Sequence, residues 1–363
     1  MGVLKIATVF SGIGAFEQAL KKQNIPYEIV FACDSGERYV DFDCEKVKTK
    51  IKKYRNIDRE KIVRALYDST KKRNFVKEAY FANYEINDSK WFTDLRFIDG
   101  KEYAEKVDIF VGGSPCQSFS AIGKRRGLED TRGTLFYDYA RLIKEIQPKV
   151  FIFENVPGML NHDSGKTWAI IEKVFKDLGY KIYSNVLNSV DYGIPQERKR
   201  LFVVGFRDSN IKFDFPQPIK LSTNLFNYLE DHVSSKHYLG EKGFKFVTNP
   251  KYKNRARVNS PVIRTEKANQ QFNWNGDFIF EELDKSKHND EILKRAYIGS
   301  WNGKKGVCRQ LTYRECLRLM GFSDEFKIVV PNVQAYRQAG NSIVVNVLEA
   351  IVSKIIGTGV FDE

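Results

Sequence analysis

This chain of 363 residues is poor in the features that mark metal, disulfide or membrane proteins. Cysteine is scarce. Cys33, Cys44, Cys116, Cys308 and Cys316 make an odd count, and no CxxC pair suggests a zinc site, so no metal is expected. A reduced, cytoplasmic setting fits such usage. No apolar run reaches the length of a membrane span, so no membrane partner is expected. The opening MGVLKIATVF lacks the layout of a secretory leader and reads as a first strand. Acidic residues are outnumbered, 46 against 59 Lys plus Arg, leaving a net charge of +13. That surplus suits a polyanionic partner, although many basic proteins bind no nucleic acid. A hydrophobic fraction of 42% is ordinary for a globular protein, and the length predicts a large domain plus a smaller one.

The first 35 residues alternate strand and helix signals. Leu4–Phe10 is a β-rich run, SGIGAFEQALKK a turn leading into a helix, and Tyr27–Ala32 a second strand. Val107–Val111, Val150–Phe153 and Leu201–Val204 are further buried strands, with a helical pattern over Leu135–Ile146. Such alternation predicts an α/β fold with a mainly parallel sheet and helices on both faces. Residues 41–90, rich in Lys and Arg at helical spacing, read as a helical insertion, either a solvated excursion or an extra contact to a nucleic-acid backbone. From about Phe206 to Val307 the rhythm disappears, which predicts a second, irregular domain. Helical periodicity returns over Thr312–Met320 and Ser342–Ile356. The expected division is therefore 1–206, with its insertion at 41–90, then 207–308, then a return to the first domain over 309–363.

Three places carry chemistry. Phe10-Ser11-Gly12-Ile13-Gly14 follows the first strand, and its glycines allow a sharp turn and close approach to a ligand. Asp34 ends the second strand, where a carboxylate can accept ribose hydroxyls. The third glycine of a dinucleotide fingerprint is missing, which favours a nucleoside-like cofactor without pyrophosphate. Alone, the loop reads more readily as a structural turn than as a cofactor loop. Next, Gly112-Gly113-Ser114-Pro115-Cys116-Gln117-Ser118-Phe119-Ser120 follows another strand and holds a thiol at the ligand-binding edge of the sheet. Glu154, in Phe153-Glu154-Asn155-Val156, ends a third strand at that same edge. Finally, Arg198 and Arg200 in Gln196-Glu197-Arg198-Lys199-Arg200 share one face of an extended segment, either around a substrate or as a solvated basic patch.

Taken in order, FSGIGAFE (10–17), TDLR (93–96), GGSPCQSFS (112–120), RGTLF (132–136), FENVPGM (153–159), QERKRLFVVGFR (196–207), RQLTYRECLRLMGF (309–322) and QAYRQAGNSIVVNVLEA (334–350) resemble the DNA cytosine-C5 methyltransferase family. The resemblance runs from Phe10 to Ala350. It covers neither 41–90 well nor most of 208–308, where the family keeps its variable target-recognition domain. It implies a Rossmann-like class I S-adenosylmethionine-dependent methyltransferase domain with a mixed, mainly parallel sheet, plus a smaller irregular target-recognition domain. Phe10, Ser11, Gly12, Ile13, Gly14, Asp34, Asp94, Leu95, Gly112, Pro115, Asn341 and Ser342 are then expected to bind S-adenosyl-L-methionine. Phe10 should face the adenine, Asp94 its amino group, and Asp34 the ribose, where a Glu is more common. Cys116 is the expected nucleophile, Glu154 the acid, and Arg198 and Arg200 the groups holding the cytosine. The DNA side is assigned to Gln117, Ser120, Lys124, Arg125, Arg126, Arg132 and Gln196, with Arg255, Arg257, Arg264 and Lys267 as candidate base readers.

The chemistry asks for these groups. Cytosine C5 is a poor nucleophile, and a thiolate added at C6 makes it reactive. Electron density then grows at N3, where Glu154 can protonate or hydrogen-bond the ring. A permanently charged arginine can polarise O2. A stacked base presents neither C6 nor C5, so the target must leave the helix, and Ser120–Thr131 is expected to close over it. The expected partner is double-stranded DNA, with a cognate restriction endonuclease as functional partner, and the expected state is a monomer in a prokaryotic or phage setting. A tRNA cytosine methyltransferase and a non-catalytic DNA-binding regulator on the same fold are the alternatives. The absence of a Cys-Phe-Thr motif weighs against the first, and the retained Pro-Cys and Glu-Asn-Val against the second.

Overall fold

A computed structural model describes residues 2–114, 135–270, 274–284 and 286–362. Its strands are β1 (Leu4–Val9), β2 (Tyr27–Cys33), β3 (Trp91–Phe92), β4 (Ile109–Gly112), β5 (Val150–Asn155), β6 (Lys181–Asn188), β7 (Gln196–Glu197), β8 (Lys199–Phe206), β9 (Ala256–Val258), β10 (Ile263–Arg264), β11 (Gly276–Glu282), β12 (Gly299–Trp301) and β13 (Lys304–Gln310). The α-helices are α1 (Ala15–Lys22), α2 (Cys44–Ile51), α3 (Asn56–Asp68), α4 (Phe75–Asn83), α5 (Leu135–Ile146), α6 (Lys166–Asp177), α7 (Glu241–Val247), α8 (Asp290–Arg295), α9 (Tyr313–Leu319), α10 (Asn332–Asn341) and α11 (Val345–Ile356). The chain forms two compact units: 1–187 with 199–217 and 348–363, and 188–198 with 218–347. Residues 309–347 thus cluster with 218–308, and only 348–363 cluster with the first unit.

The first unit is built on a seven-stranded sheet of order β3-β2-β1-β4-β5-β8-β6. β1 pairs in parallel with β2 and β4, β4 in parallel with β5, and β8 runs antiparallel to β5. β4 is buried along its whole length, as a strand covered on both faces should be. Its Phe110 stacks on Tyr139 of α5, and Phe151 and Phe153 of β5 pack against Phe175 of α6. The short β3 and the polar β6 carry weak signals and went unread in the sequence.

The insertion folds as α2, α3 and α4. Asp43 accepts from Lys46 N to cap α2, and Asn74 accepts from Lys77 N to cap α4. Ile51, Val63, Tyr67 and Phe97 form a small core of their own, with Phe42 and Val47 packed against it. The insertion is therefore held by apolar packing and is more than a solvated excursion.

The second unit contains a four-stranded sheet of order β12-β13-β11-β9, and β7 pairs in parallel with β10. Phe244, Val247, Ala256, Phe278, Phe280 and Cys308 form its core. The region read as irregular thus has a sheet. Apart from the β12–β13 hairpin, its strands pair with segments far along the chain, so no repeating alternation announces them. α9 opens on a reciprocal cap between Thr312 and Glu315.

The stretch Asn332–Ile356 has the length and hydropathy of a membrane span, contrary to the sequence expectation. Extended backbone at Ser342 (φ −74°, ψ 161°) divides it into helices of 10 and 12 residues. Each falls short of the roughly 20 residues a span needs.

Candidate functional site

The turn after β1 uses left-handed backbone three times: Phe10 at φ 53°, Gly12 at 53° and Gly14 at 77°. At Gly14 the conformation and the space both demand glycine, since a Cβ would lie 2.2 Å from Tyr84 Cε2. Phe10 has no such freedom, so the turn holds a bulky side chain on a backbone it rarely adopts. Ser11 fastens the turn to the end of β2, its Oγ donating to the Cys33 carbonyl at 3.2 Å and accepting from Cys33 N at 3.0 Å. Ile13 is buried below.

Asp34 continues from β2. Its Oδ2 accepts from Gly12 N at 2.9 Å and its Oδ1 from Gly36 N at 2.8 Å. Burial, opposed by these two N–H groups, holds the carboxyl above its ordinary value. A cavity of about 560 Å³ opens here, with Phe10, Asp34, Asp94 and Leu95 in its wall. One aromatic ring, one apolar side chain and two carboxylates suit a nucleoside: a face for the base, an acceptor for an amino group and an acceptor for ribose hydroxyls. These residues fit S-adenosylmethionine. Gly112 serves differently. A Cβ there would lie 2.7 Å from Val9 Cγ2 and 2.8 Å from Tyr139 Cε2, so this glycine lets β4 pack closely.

At the same sheet edge, β4 and β5 bring Gly113 against Glu154. A Cβ on Gly113 would sit 2.6 Å from the Glu154 carbonyl oxygen and 3.1 Å from Glu154 Oε2. Asn155 Nδ2 donates to the Ser114 carbonyl at 2.8 Å, fixing the chain as it departs from β4. From β8, Arg200 Nε reaches Glu154 Oε1 at 3.0 Å. The acid and one arginine singled out in the sequence therefore stand together.

The other arginine goes elsewhere. Arg198 is buried in the second unit, donating to the carbonyls of Glu266 (3.1 Å), Gly340 (3.0 Å) and Ser342 (2.7 Å). Arg198 and Arg200 do not share one exposed face, and the expectation that both hold cytosine is corrected for Arg198, whose guanidinium is spent on main-chain acceptors. Gln196 is likewise buried. Its Nε2 donates to the Leu319 carbonyl at 2.9 Å and its Oε1 accepts from Glu266 N at 3.0 Å, so it is a structural tie rather than a DNA contact. Arg264 donates to the carbonyls of Asn254, Arg255 and Gly276. Arg255 and Lys267 are exposed, and Arg257 lies 3.5 Å from Glu197. Asn341 ends α10 and Ser342 follows it, both in the second unit.

Pro115, Cys116, Gln117, Ser120, Lys124, Arg125, Arg126 and Arg132 lie outside the described residues, as does the rest of the expected closing segment. Burial pushes the thiols of Cys33, Cys44, Cys308 and Cys316 up, which disfavours the thiolate of these four at neutral pH.

Sequence reasoning missed part of the cavity. Tyr67, Cys44 and Lys48 come from the insertion, Arg96 follows the recognised Asp94-Leu95, and Asp138 stands on α5. Arg96 was legible as the last letter of TDLR. Nothing local marks Tyr67, because the contact joins residues 27 positions apart.

A family model described as C-5 cytosine-specific DNA methylase matches residues 65–357. The Type II methyltransferase M.SsoII of Shigella sonnei is 36% identical over 293 residues, covering 78% of this chain and 72% of the relative. The Type II methyltransferase M.HhaI of Haemophilus parahaemolyticus is 37% identical over 281 residues, covering 75% and 83%. Among solved structures, the S. pombe Dnmt2 methyltransferase matches with a TM-score of 0.64 at 18% identity over 98% of each chain. That last likeness bears on the fold alone.

Proposed function

Since the chain belongs to the C-5 cytosine-specific DNA methylase family and is a DNA cytosine-5 methyltransferase, we propose that Cys116 adds to C6 of a cytosine drawn out of duplex DNA while Glu154 serves its N3. The thiolate forms the Sγ–C6 bond and the ring's electrons shift toward N3 and C5. Glu154 serves N3 in its protonated form, giving a proton or a hydrogen bond, and Arg200 keeps its carboxyl facing the base and polarises O2. S-adenosylmethionine, when bound, supplies an electrophilic methyl group. Phe10, Asp34, Asp94 and Leu95 would hold it through adenine and ribose. Once C5 carries the methyl group, its proton leaves to water, the Sγ–C6 bond breaks to expel the Cys116 thiolate, and N3 returns its proton to Glu154, which restores aromaticity and frees the enzyme. Arg198 positions rather than touches: it ties the segment before β8 to the carbonyls of Gly340 and Ser342.

The observation that carries this reading is the Arg200–Glu154 pair at 3.0 Å, seated beside the glycine that leads into the Cys116 segment. The substrate is double-stranded DNA, and the biological setting is the modification half of a restriction-modification system with a cognate endonuclease. The enzyme acts as a monomer in a bacterial or phage-infected cytoplasm.

The test is labelled-methyl transfer to duplex DNA and to tRNA by wild type and Cys116→Ala. Transfer to DNA only, abolished in the variant while DNA binding persists, is expected. A duplex carrying 5-fluorocytosine at the site should leave a covalent adduct at Cys116. Undiminished turnover by Cys116→Ala would end the assignment.

A further inference from the structure

The insertion supplies part of the cofactor cavity. Asp43, Cys44, Glu45, Lys48 and Tyr67 line it beside Asp34 and Asp94. Of these, Tyr67 makes a directed contact. It is buried near the end of α3, packed in the cluster of Ile51, Val63 and Phe97, with the Phe42 ring at 6.2 Å. Its hydroxyl donates to Asp94 Oδ2 at 2.8 Å. Arg96 grips the same carboxylate, with Nε 3.0 Å from each oxygen and one terminal nitrogen 2.6 Å from Oδ2. That guanidinium lies over the rings of Phe42 (5.2 Å) and Phe97 (5.7 Å), so the insertion's small core braces it as well.

We propose that Tyr67 is a positioning residue for the cofactor, its hydroxyl fixing the Asp94 carboxylate that accepts the adenine amino group. The proposal rests on reading the cavity as the S-adenosylmethionine site. A carboxylate in a cavity wall is useful to an amino donor only in one rotamer, and holding it there before the ligand arrives lowers the ordering cost of binding. Burial and the neighbouring Asp94 charge push the Tyr67 phenol well above its ordinary range, so it remains a donor at any working pH. The insertion is then a structural wall of the cofactor site, and its packing core exists to present one hydroxyl and one braced guanidinium.

The experiment is calorimetric titration of S-adenosylhomocysteine into wild type, Tyr67→Phe, Asp94→Asn and the double variant, with steady-state kinetics alongside. Tyr67→Phe keeps the ring and its packing and removes only the hydroxyl. It should weaken binding about tenfold, which is about 1.4 kcal/mol. KM for the methyl donor should rise in step while kcat and DNA affinity hold. In the Asp94→Asn background the same change should cost less, because the charged acceptor it served has become a neutral amide oxygen. A loss of equal size in both backgrounds marks a merely structural role and overturns the proposal. Wild-type affinity in Tyr67→Phe beside a weakened Asp94→Asn also overturns it, leaving the cofactor reading of the cavity standing. Wild-type affinity in Asp94→Asn overturns both.

Discussion

Arg200 and Glu154 meet across the antiparallel pairing of β8 and β5, Nε to Oε1 at 3.0 Å, with both side chains largely shielded from solvent. The register sets Glu154 opposite Phe202, so the acid sits one residue before the end of β5 and the arginine two residues before the acid's partner on β8. A charge pair held by two paired strands has little rotational freedom, and that is what a group serving N3 requires. Glu154→Gln keeps the shape and removes the acid. Methyl transfer should fall by about 10²–10⁴-fold with cofactor affinity unchanged, read by single-turnover kinetics and calorimetry. Arg200→Lys should also lose activity, since an ammonium cannot reproduce the planar fork.

Gly113 is required by proximity. Gly113→Ala places a methyl 2.6 Å from the Glu154 carbonyl, which is backbone and cannot swing aside. We expect a lower melting temperature, a cost of about 1–3 kcal/mol, and a fall in turnover as β4 and β5 separate where the nucleophile segment begins. A variant that keeps full turnover and stability would show that the strands can part without consequence.

Arg198 predicts a different pattern. Arg198→Met leaves three buried carbonyls of the second unit without their donor, which should cost about 2–4 kcal/mol in urea unfolding. Arg255→Ala, on an exposed side chain, should leave stability alone. If Arg255 meets a phosphate, duplex binding weakens and the salt slope falls by about 1. An unchanged slope removes it from the DNA surface.

Glu266 sets a pH test in the second unit. Burial, opposed chiefly by the Arg198 charge, pushes its carboxyl up to about 8 from an ordinary value of 4.5. The unfolded chain ionises first, so unfolding releases a proton throughout that window. The stability tied to this group is fully present below pH 4.5, declines as pH rises and is lost above about 8. Glu266→Gln abolishes the titration. Its melting temperature should therefore gain on wild type as pH is raised from 5 to 8. A constant gap across that range would place an ionised Glu266 in the fold.

Much of the first unit was legible because its signals are local. A buried parallel strand is a run of apolar residues, and α5 repeats its apolar face every three or four positions, so the helix over Leu135–Ile146 was found, with its end at Ile146. The glycine turn and Asp34 were legible at strand ends, and Asp94 through the resemblance of TDLR alone, since the short β3 before it carries little signal. β9 to β11 were not, since their segments become strands only by pairing with distant partners, and β12 and β13 flank an Asn302-Gly303 turn whose local hairpin signal went unread. The strand limits near Arg198 and Arg200 gave no hint that one side chain would turn to main-chain carbonyls and the other to a carboxylate.

What the sequence determined by itself was the chemistry: a thiol on a glycine-rich loop, an acid after a buried strand, arginines near a third, and a cofactor turn without a third glycine. What tertiary structure alone decided was which groups meet. Arg200 pairs with Glu154, Arg198 and Gln196 are structural ties, and a basic insertion becomes a cavity wall through Tyr67. Residue type and local period are written along the chain, whereas the partner of a side chain depends on strand register and helix packing between positions far apart, and only folding brings those together.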